Sequence, residues 1–120
     1  MKILVTGGAG FLGQQLTRAL LDRGSLLLAS GAAKIDRVVC FDQTAGVLQD
    51  PRVDYVTGDI SDPATVRRLV DRDTAVVVHL AAVVSGGAEA DFDLGMRVNL
   101  DGTRLLLEAC RAAGHQPRVL

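Results

Sequence analysis

The sequence has few of the residue types on which specialised small proteins depend. Its 120 residues include two cysteines, three prolines and one tyrosine, and tryptophan is absent. Two cysteines are too few for a disulfide scaffold, and Cys40 and Cys110 lack the spacing of a metal-ligand motif. We therefore expect two buried thiols in a reducing compartment, the cytoplasm, and no metal site.

The sequence also lacks an excess of either charge and any long apolar run. The chain has 13 basic and 14 acidic side chains, which gives a formal net charge of -1. A nucleic-acid binder needs a basic stripe, so we expect no nucleic-acid partner. The longest apolar stretch, residues 75–84, is interrupted by His79 and is far shorter than the ~20 residues of a membrane helix. We expect no membrane partner and no signal peptide at the start of the chain.

Apolar residues make up 48% of the chain, enough for the core of one domain over residues 1–120. Four short apolar runs are candidate strands. The first, second and fourth are nearly continuous, which is typical of parallel strands buried on both faces, whereas the third alternates and is expected nearer an edge. Helical patterns lie between or after these runs. The candidate strands are residues 3–5, 38–41, 53–56 and 75–80, and the candidate helices are residues 11–23, 62–71 and about 91–114.

The alternation of strands and helices predicts a doubly wound α/β fold, a parallel sheet with helices on both faces. Asp62 and Pro63 form a typical helix start, with Ser61 as a competing cap. Residues 25–34 break the alternation, and we interpret them as an inserted loop. Residues 116–120 have the pattern of a fifth strand, within which the sequence ends.

A glycine-rich turn connects the first strand to the first helix. Residues 6–13 read Thr-Gly-Gly-Ala-Gly-Phe-Leu-Gly. In a dinucleotide-binding turn, three of these glycines have distinct roles. Gly7 would permit the tight bend, Gly10 would admit a pyrophosphate close to the backbone, and Gly13 would let the helix pack on the sheet. The free amides of the helix's first turn then attract an anion. We predict a pyrophosphate site here; the alternative is a glycine turn without a ligand.

Asp42 follows the second candidate strand. A carboxylate in this position accepts hydrogen bonds from both hydroxyls of an adenosine ribose and repels a 2′-phosphate, which favours NAD over NADP. Gln43 and Thr44 supply no arginine for such a phosphate. The alternative is a helix N-cap at the strand end, and the two roles are compatible.

Three further features follow the third and fourth candidate strands. Gly58-Asp59-Ile60 is expected beside an adenine, although aspartate is also a common turn residue. The small residues after His79 allow the backbone to run alongside a flat cofactor. We interpret His79 as a hydrogen-bonded core histidine whose pKa is lowered by apolar neighbours. Asn99 lies on the apolar side of the last helix, where a buried amide needs partners, and it is expected to tie that helix to the loop after the fourth strand.

Taken together, these motifs resemble the extended short-chain dehydrogenase/reductase family, in its NAD-dependent epimerase/dehydratase group. The resemblance rests on residues 6–13, Asp42, residues 58–60, residues 79–82 and the run at residues 98–103. It implies a Rossmann-like NAD-binding domain, truncated after the start of the fifth strand and without a separate substrate domain. More narrowly, residues 79–95 are similar to the D-erythronate dehydrogenase branch, which implies NAD-dependent oxidation of a four-carbon sugar acid.

The motifs and the resemblance together imply NAD as the cofactor and a sugar-like small molecule as the substrate. They assign Ser85 to the substrate. The cofactor-binding residues that they assign are Gly7, Gly10, Phe11, Leu12, Gly13, Asp42, Gln43, Asp59, Ile60, Leu80, Ala81, Ala82, Val83 and Asn99.

The family's catalytic Tyr-x-x-x-Lys pair has no counterpart among these residues. The only tyrosine is Tyr55, and the only lysines are Lys2 and Lys34. We therefore assign no catalytic residue and expect the 120-residue chain to be inactive on its own. The alternative function is a non-catalytic dinucleotide-binding module or NAD sensor.

The last helix, about residues 91–114, carries a broad apolar surface. Its charged side chains fall in one narrow arc, and the rest of its circumference is wider than one sheet can cover. The resemblance implies that this helix takes part in a dimer interface. We therefore expect a homodimer through residues 91–114.

Overall fold

The computed structural model describes all 120 residues. They form a five-stranded sheet with helices on both faces and a separate two-stranded hairpin. In chain order the elements are β1 (Lys2–Thr6), α1 (Phe11–Arg23), β2 (Ser25–Leu28), β3 (Gly31–Lys34), β4 (Arg37–Asp42), β5 (Val53–Thr57), α2 (Pro63–Leu69), β6 (Thr74–His79), α3 (Ser85–Ala90), α4 (Phe92–Gly95), a π-helical segment (Met96–Gly102), α5 (Thr103–Ala112) and β7 (Arg118–Val119).

The main sheet has the strand order β5-β4-β1-β6-β7, and every pairing in it is parallel. The predicted doubly wound α/β fold is thus confirmed, with β5 at an edge as its alternating pattern predicted. The chain turns to β4 on one side of β1 and later to β6 on the other. The carboxyl ends of β1, β4 and β6 therefore meet at the point where the strand order reverses, which is where ligands bind in such sheets.

Each face of the sheet has its own apolar core, because successive side chains of a strand point to opposite faces. Leu4 belongs to the core covered by α2 and α5, where Val66 and Leu106 are buried. Ile3 and Val5 belong to the core covered by α1. Since β1 is buried along its whole length, it gives the glycine-rich turn that follows it a rigid base.

The prediction of an inserted loop over residues 25–34 was wrong. These residues form an antiparallel hairpin, β2 and β3, in which Leu26 pairs with Ala33 and Leu28 with Gly31. Leu27 is 71% exposed, so the leucine run does not show the alternation that would have identified a strand. No helix lies between β4 and β5, so the alternative role of Asp42 as a helix N-cap was also wrong.

The last helix differs from the regular helix expected over residues 91–114. It begins with the short α4, continues through the π-helical segment and ends in α5. The preceding α3 was not predicted. A π-helical segment shifts the angular positions assumed for a regular helix, which is why Asn99, expected to be buried, is exposed.

Other local predictions are confirmed. The Asp62 carboxylate accepts a hydrogen bond from the Thr65 amide at the start of α2, where Pro63 is the first helical residue. Both cysteines are free and buried. Arg118 and Val119 pair with β6 as a fifth parallel strand.

None of the helices combines the length and hydropathy that a membrane span needs.

Candidate functional site

A cleft of about 370 Å³ lies at the carboxyl ends of the parallel strands. It extends from the end of β5, past β1 and β4, to the segment that follows β6. Its lining is Gly7, Gly10, Phe41, Asp42, Gln43, Gly58, Ile60, Leu80, Ala81, Ala82, Val83, Leu94 and Val98. Largely apolar walls with a few placed polar groups are typical of a small-molecule site.

Three of the four glycines in the turn, Gly7, Gly10 and Gly13, differ in how closely they are packed. Gly7 has a φ of 70°, and a Cβ atom there would lie 2.8 Å from the Leu80 carbonyl carbon. A Cβ atom on Gly13 would lie 2.2 Å from the Gly7 oxygen, so α1 packs against the turn with no room for a side chain. By contrast, a Cβ atom on Gly10 would meet only the Gly7 oxygen, at 3.3 Å. Gly10 therefore borders open cleft rather than packed protein.

The amino end of α1 presents backbone donors beside Gly10. Gly10 is the N-cap of this 13-residue helix, no side chain caps it, and its first turn carries no acidic residue. The amides of Phe11, Leu12 and Gly13 have no acceptor within the protein. Unpaired amides and the positive end of the helix dipole together favour an anion at this point.

Asp42 is fixed by two backbone amides at the end of β4. Its Oδ2 accepts from the Ala9 N–H at 3.0 Å, and its Oδ1 accepts from the Gln43 N–H at 2.8 Å. A carboxylate has about four lone-pair positions, so about two remain open toward the cleft. The side chain is therefore oriented by the glycine-rich turn itself and keeps acceptors for a ligand.

The end of β5 places Ile60 and Asp59 differently. Ile60 is buried and lines the cleft. Asp59 is exposed, and its carboxylate accepts from both the hydroxyl and the amide of Ser61, which lowers the pKa of Asp59. The side chain of Asp59 thus holds the local turn, while Gly58 and Ile60 face the cleft.

The segment Leu80–Val83 forms the wall of the cleft beyond β6 and lies outside helices and strands. Asn99 holds its far end with two hydrogen bonds. The Val83 amide donates to Asn99 Oδ1 at 2.8 Å, and Asn99 Nδ2 donates to the Val83 oxygen at 2.9 Å. The predicted tie between the last helix and this loop is confirmed. Asn99 itself does not line the cleft.

His79 is a satisfied histidine, as predicted. Its Nδ1 lies 2.6 Å from Thr6 Oγ1 and its Nε2 lies 2.9 Å from Thr103 Oγ1. Burial lowers the pKa of His79, which keeps the imidazole neutral near neutral pH.

Most of the residues predicted from the sequence therefore meet around one cleft. Phe11, Leu12 and Gly13 stand beside it at the start of α1, whereas Ser85 is exposed at the start of α3. Three residues that line the cleft were not assigned to the site from the sequence: Phe41, Leu94 and Val98. Leu94 and Val98 come from the last helix, and their signal in the sequence was proximity to Asn99 and, for Val98, its place in the run at residues 98–103.

A model of the 3-beta hydroxysteroid dehydrogenase/isomerase family matches residues 4–118. The chain belongs to this family. The resemblance to dehydrogenases and epimerases that the motifs predicted is thereby confirmed. Among curated relatives, D-erythronate dehydrogenase from Cupriavidus necator is 62% identical over 121 residues, a match that covers 100% of this chain and 37% of that protein.

Two solved structures share the fold. The crystal structure of the nucleoside-diphosphate-sugar epimerase from Agrobacterium tumefaciens matches with a TM-score of 0.85 and 40% identity, covering 99% of this chain and 36% of that one. A dTDP-glucose 4,6-dehydratase from Streptomyces venezuelae, solved with NAD bound, matches with a TM-score of 0.82 and 32% identity, covering 99% of this chain and 38% of that one. The Rossmann-like fold is confirmed, and the chain spans less than half the length of each relative.

Proposed function

We propose that residues 1–120 are the NAD-binding domain of an NAD-dependent oxidoreductase that acts on a sugar-acid hydroxyl. The observation that carries this proposal is that Gly10 and Asp42 line one cleft, with the unpaired amides of α1 next to Gly10. The first group suits the pyrophosphate and the second suits the adenosine ribose. NAD, when bound, would supply the hydride acceptor for the hydroxyl carbon.

The cleft divides the predicted cofactor residues by role. The turn at Gly7 and Gly10, with the amides at residues 11–13, would hold the pyrophosphate. Asp42 would bind the ribose with its two open acceptor positions, beside Gln43. Ile60 would cover the adenine, next to the turn that Asp59 organises.

The other end of the cleft would take the nicotinamide half. Leu80–Val83 supplies a wall of small and apolar residues, and Asn99 holds that wall in place. Ser85 follows directly, and we propose that it contacts the sugar-like substrate. The similarity to a D-erythronate dehydrogenase supports a four-carbon sugar acid as that substrate.

The proton-transfer groups of the proposed reaction lie outside these residues. Tyr55 lies on the edge strand β5, and its hydroxyl accepts a hydrogen bond from the Leu48 amide. Lys2 forms an ion pair with Asp71, and Lys34 belongs to the hairpin. This arrangement also favours the second candidate function, a dinucleotide-binding module without catalysis. The two are separated by assaying NADH production from NAD+ and D-erythronate by the full-length protein, which only an oxidoreductase yields.

Asp42→Asn is expected to weaken the preference for NAD+ over NADP+. In the wild type, saturating NAD+ should raise the melting temperature by mass action, whereas NADP+ should not, because Asp42 repels a 2′-phosphate. The substitution removes that repulsion and one charged acceptor, so NAD+ affinity should fall about tenfold, equal to about 1.4 kcal/mol. Isothermal titration with both nucleotides measures this.

The matched control is Asp73→Asn, which makes the same substitution at an exposed residue. Asp73 directly precedes β6 and so lies at the end of the sheet opposite the cleft. It should leave both affinities unchanged. An Asp42→Asn protein that still prefers NAD+ as strongly as the wild type would remove Asp42 from the ribose site.

We further propose a homodimer formed through the last helix, in the cytoplasm. Four apolar side chains on this helix are 40–70% exposed, although its other side packs in the core. Burying them against a second copy would remove this surface from water. The two buried free thiols agree with a reducing compartment. The four side chains are Phe92, Met96, Leu100 and Leu107.

The double change Leu100→Glu with Leu107→Glu is expected to give a monomer. Both side chains are at least half exposed, so the charges should not disturb the fold, whereas they would be costly in an apolar interface. Sedimentation velocity measures the mass. Leu27→Glu, on the exposed hairpin, is the control that should remain dimeric. An unchanged mass for the double variant would count against the interface.

A further inference from the structure

His79 joins the glycine-rich turn to the last helix through both nitrogens of its imidazole. On one side, the Ala81 amide donates to Thr6 Oγ1 at 3.2 Å, and Thr6 Oγ1 lies 2.6 Å from His79 Nδ1. On the other side, His79 Nε2 lies 2.9 Å from Thr103 Oγ1. A single side chain thus connects β1, the end of β6 and α5.

The same connection closes on the wall of the cleft. Thr103 Oγ1 donates to the Asn99 carbonyl oxygen at 2.7 Å, and the Asn99 side chain holds both polar backbone atoms of Val83. Ala81 and Val83, two residues apart, are therefore linked by a closed circuit of hydrogen bonds. We call Thr6, His79, Asn99 and Thr103 the His79 network.

The donors and acceptors of the network fix one form of the imidazole. Thr103 uses its only hydroxyl proton on the Asn99 carbonyl oxygen, so it accepts from His79 Nε2–H. Thr6 accepts from the Ala81 amide, and His79 Nδ1 is the acceptor within reach of its hydroxyl proton. The first constraint places a proton on Nε2 and the second leaves Nδ1 without one, so together they select a neutral imidazole with the proton on Nε2. Protonation of Nδ1 would leave the Thr6 hydroxyl proton without that acceptor.

The wall segment depends on this network because it has no regular structure of its own. Residues 80–84 lie outside helices and strands. Their other tie to β1 is the Leu80 amide, which donates to the Thr6 oxygen at 3.0 Å. Thr6 is fully buried, so its hydroxyl is a fixed reference point for the segment.

We propose that His79, as the Nε2–H tautomer, is a positioning residue that holds Leu80–Val83 in the geometry that receives the nicotinamide half of a dinucleotide. The proposal rests on the proposed function for its ligand. It assigns His79 no proton transfer with the substrate. Its effect passes through Thr6 and Thr103 to the backbone of the wall.

The first test reads the tautomer directly. In a long-range ¹H–¹⁵N NMR spectrum of the chain at pH 7, His79 Nε2 should be protonated and Nδ1 should be a bare acceptor. Thr6→Val, which removes the hydroxyl at nearly constant shape, should shift the Nδ1 resonance of His79. A protonated Nδ1 in the wild type would overturn the proposal.

The second test measures coupling across the network with Thr6→Val, Thr103→Val and the double variant. Each single change should lower NAD+ affinity about tenfold, the effect of about one lost hydrogen bond to the wall. The double variant should also lose only about tenfold, because either change opens the same circuit. Thr74→Val, a buried threonine at the other end of β6, is the control with unchanged affinity.

The remaining outcomes separate this proposal from the proposed function. If the NAD+ affinity of the double variant falls about 100-fold, or if no variant loses affinity, the proposed role of the His79 network is wrong, although NAD+ binding stays established. If the wild type binds no NAD+, the proposed function fails, and amide exchange decides the network alone. Thr103→Val should speed exchange of the Ala81 amide about tenfold, although Thr103 does not touch it, with Leu4 in the core unchanged. An unchanged Ala81 rate would overturn the proposal.

Discussion

Gly13→Ala is expected to destabilise the chain by about 3 kcal/mol and to lower its melting temperature by more than about 10 °C. The added Cβ atom would lie 2.2 Å from the Gly7 oxygen and 2.7 Å from Gly8 Cα. Both atoms belong to the backbone, so no side-chain rotation relieves the contact. Relief requires α1 to move away from the turn, and Gly8 already abuts Cys40 on β4. Thermal unfolding followed by circular dichroism measures the change.

The control is Gly86→Ala in α3, where an added Cβ atom meets nothing within 4 Å. Alanine in that helix should leave the melting temperature unchanged or raise it, because its helix propensity exceeds that of glycine by up to about 1 kcal/mol. A Gly13→Ala protein that melts within about 2 °C of the wild type would show that α1 does not depend on close packing against the turn.

Gly10→Val is expected to lower NAD+ affinity about 100-fold while costing less than about 1 kcal/mol of stability. Gly10 has φ −71° and ψ 173°, extended backbone that valine also adopts. Its side chain would project beside the free amides of residues 11–13, where the pyrophosphate is proposed. Gly10→Ala, with a smaller obstruction, should give an intermediate loss of about tenfold. Isothermal titration and thermal unfolding together separate binding from folding.

Gly86→Val serves as the matched change outside the cleft and should bind NAD+ like the wild type. Gly10 and Gly13 are expected to differ in this test, because Gly13 is required for the packing of α1 and Gly10 for the proposed pyrophosphate. Equal losses of stability at Gly10 and Gly13, or full NAD+ affinity in Gly10→Val, would contradict the assigned roles.

The central sheet could be predicted from the sequence because its strands are buried on both faces. Residues 3–5 and 75–80 are nearly continuous apolar runs; Thr6 and Gly7 mark the end of the first, and Asp73 and Thr74 mark the start of the second. The hairpin could not be predicted in the same way. Leu27 is exposed between Leu26 and Leu28, and the opposite strand consists of three small residues and Lys34, so no alternation of polar and apolar side chains marks the hairpin.

The last helix shows a different limit. A wheel drawn at 100° per residue assumes a regular α-helix, and the π-helical segment at residues 96–102 does not follow it. Asn99 was therefore expected to be buried, although its contact with the loop after β6 was predicted correctly. The exposure of Leu100 and Leu107 agrees with the wide apolar surface seen in the sequence.

The cofactor-binding part of the site could be predicted because each of its motifs is a short, continuous piece of sequence. Residues 6–13 carry the turn, and Asp42 follows its strand directly. The His79 network was not readable, because Thr6 and Thr103 are distant in sequence and meet His79 only through the pairing of β1 with β6 and the packing of α5. The cleft-lining side chains of Leu94 and Val98 depend on the same packing.

The most direct test of the proposed pyrophosphate site is an amide NMR titration of the chain with NAD+. The largest shifts should fall on the amides of Phe11, Leu12 and Gly13, which have no acceptor within the protein. Smaller shifts should appear at Asp42 and Ala81. If saturating NAD+ leaves the amides of residues 11–13 unshifted, the pyrophosphate does not bind at the start of α1.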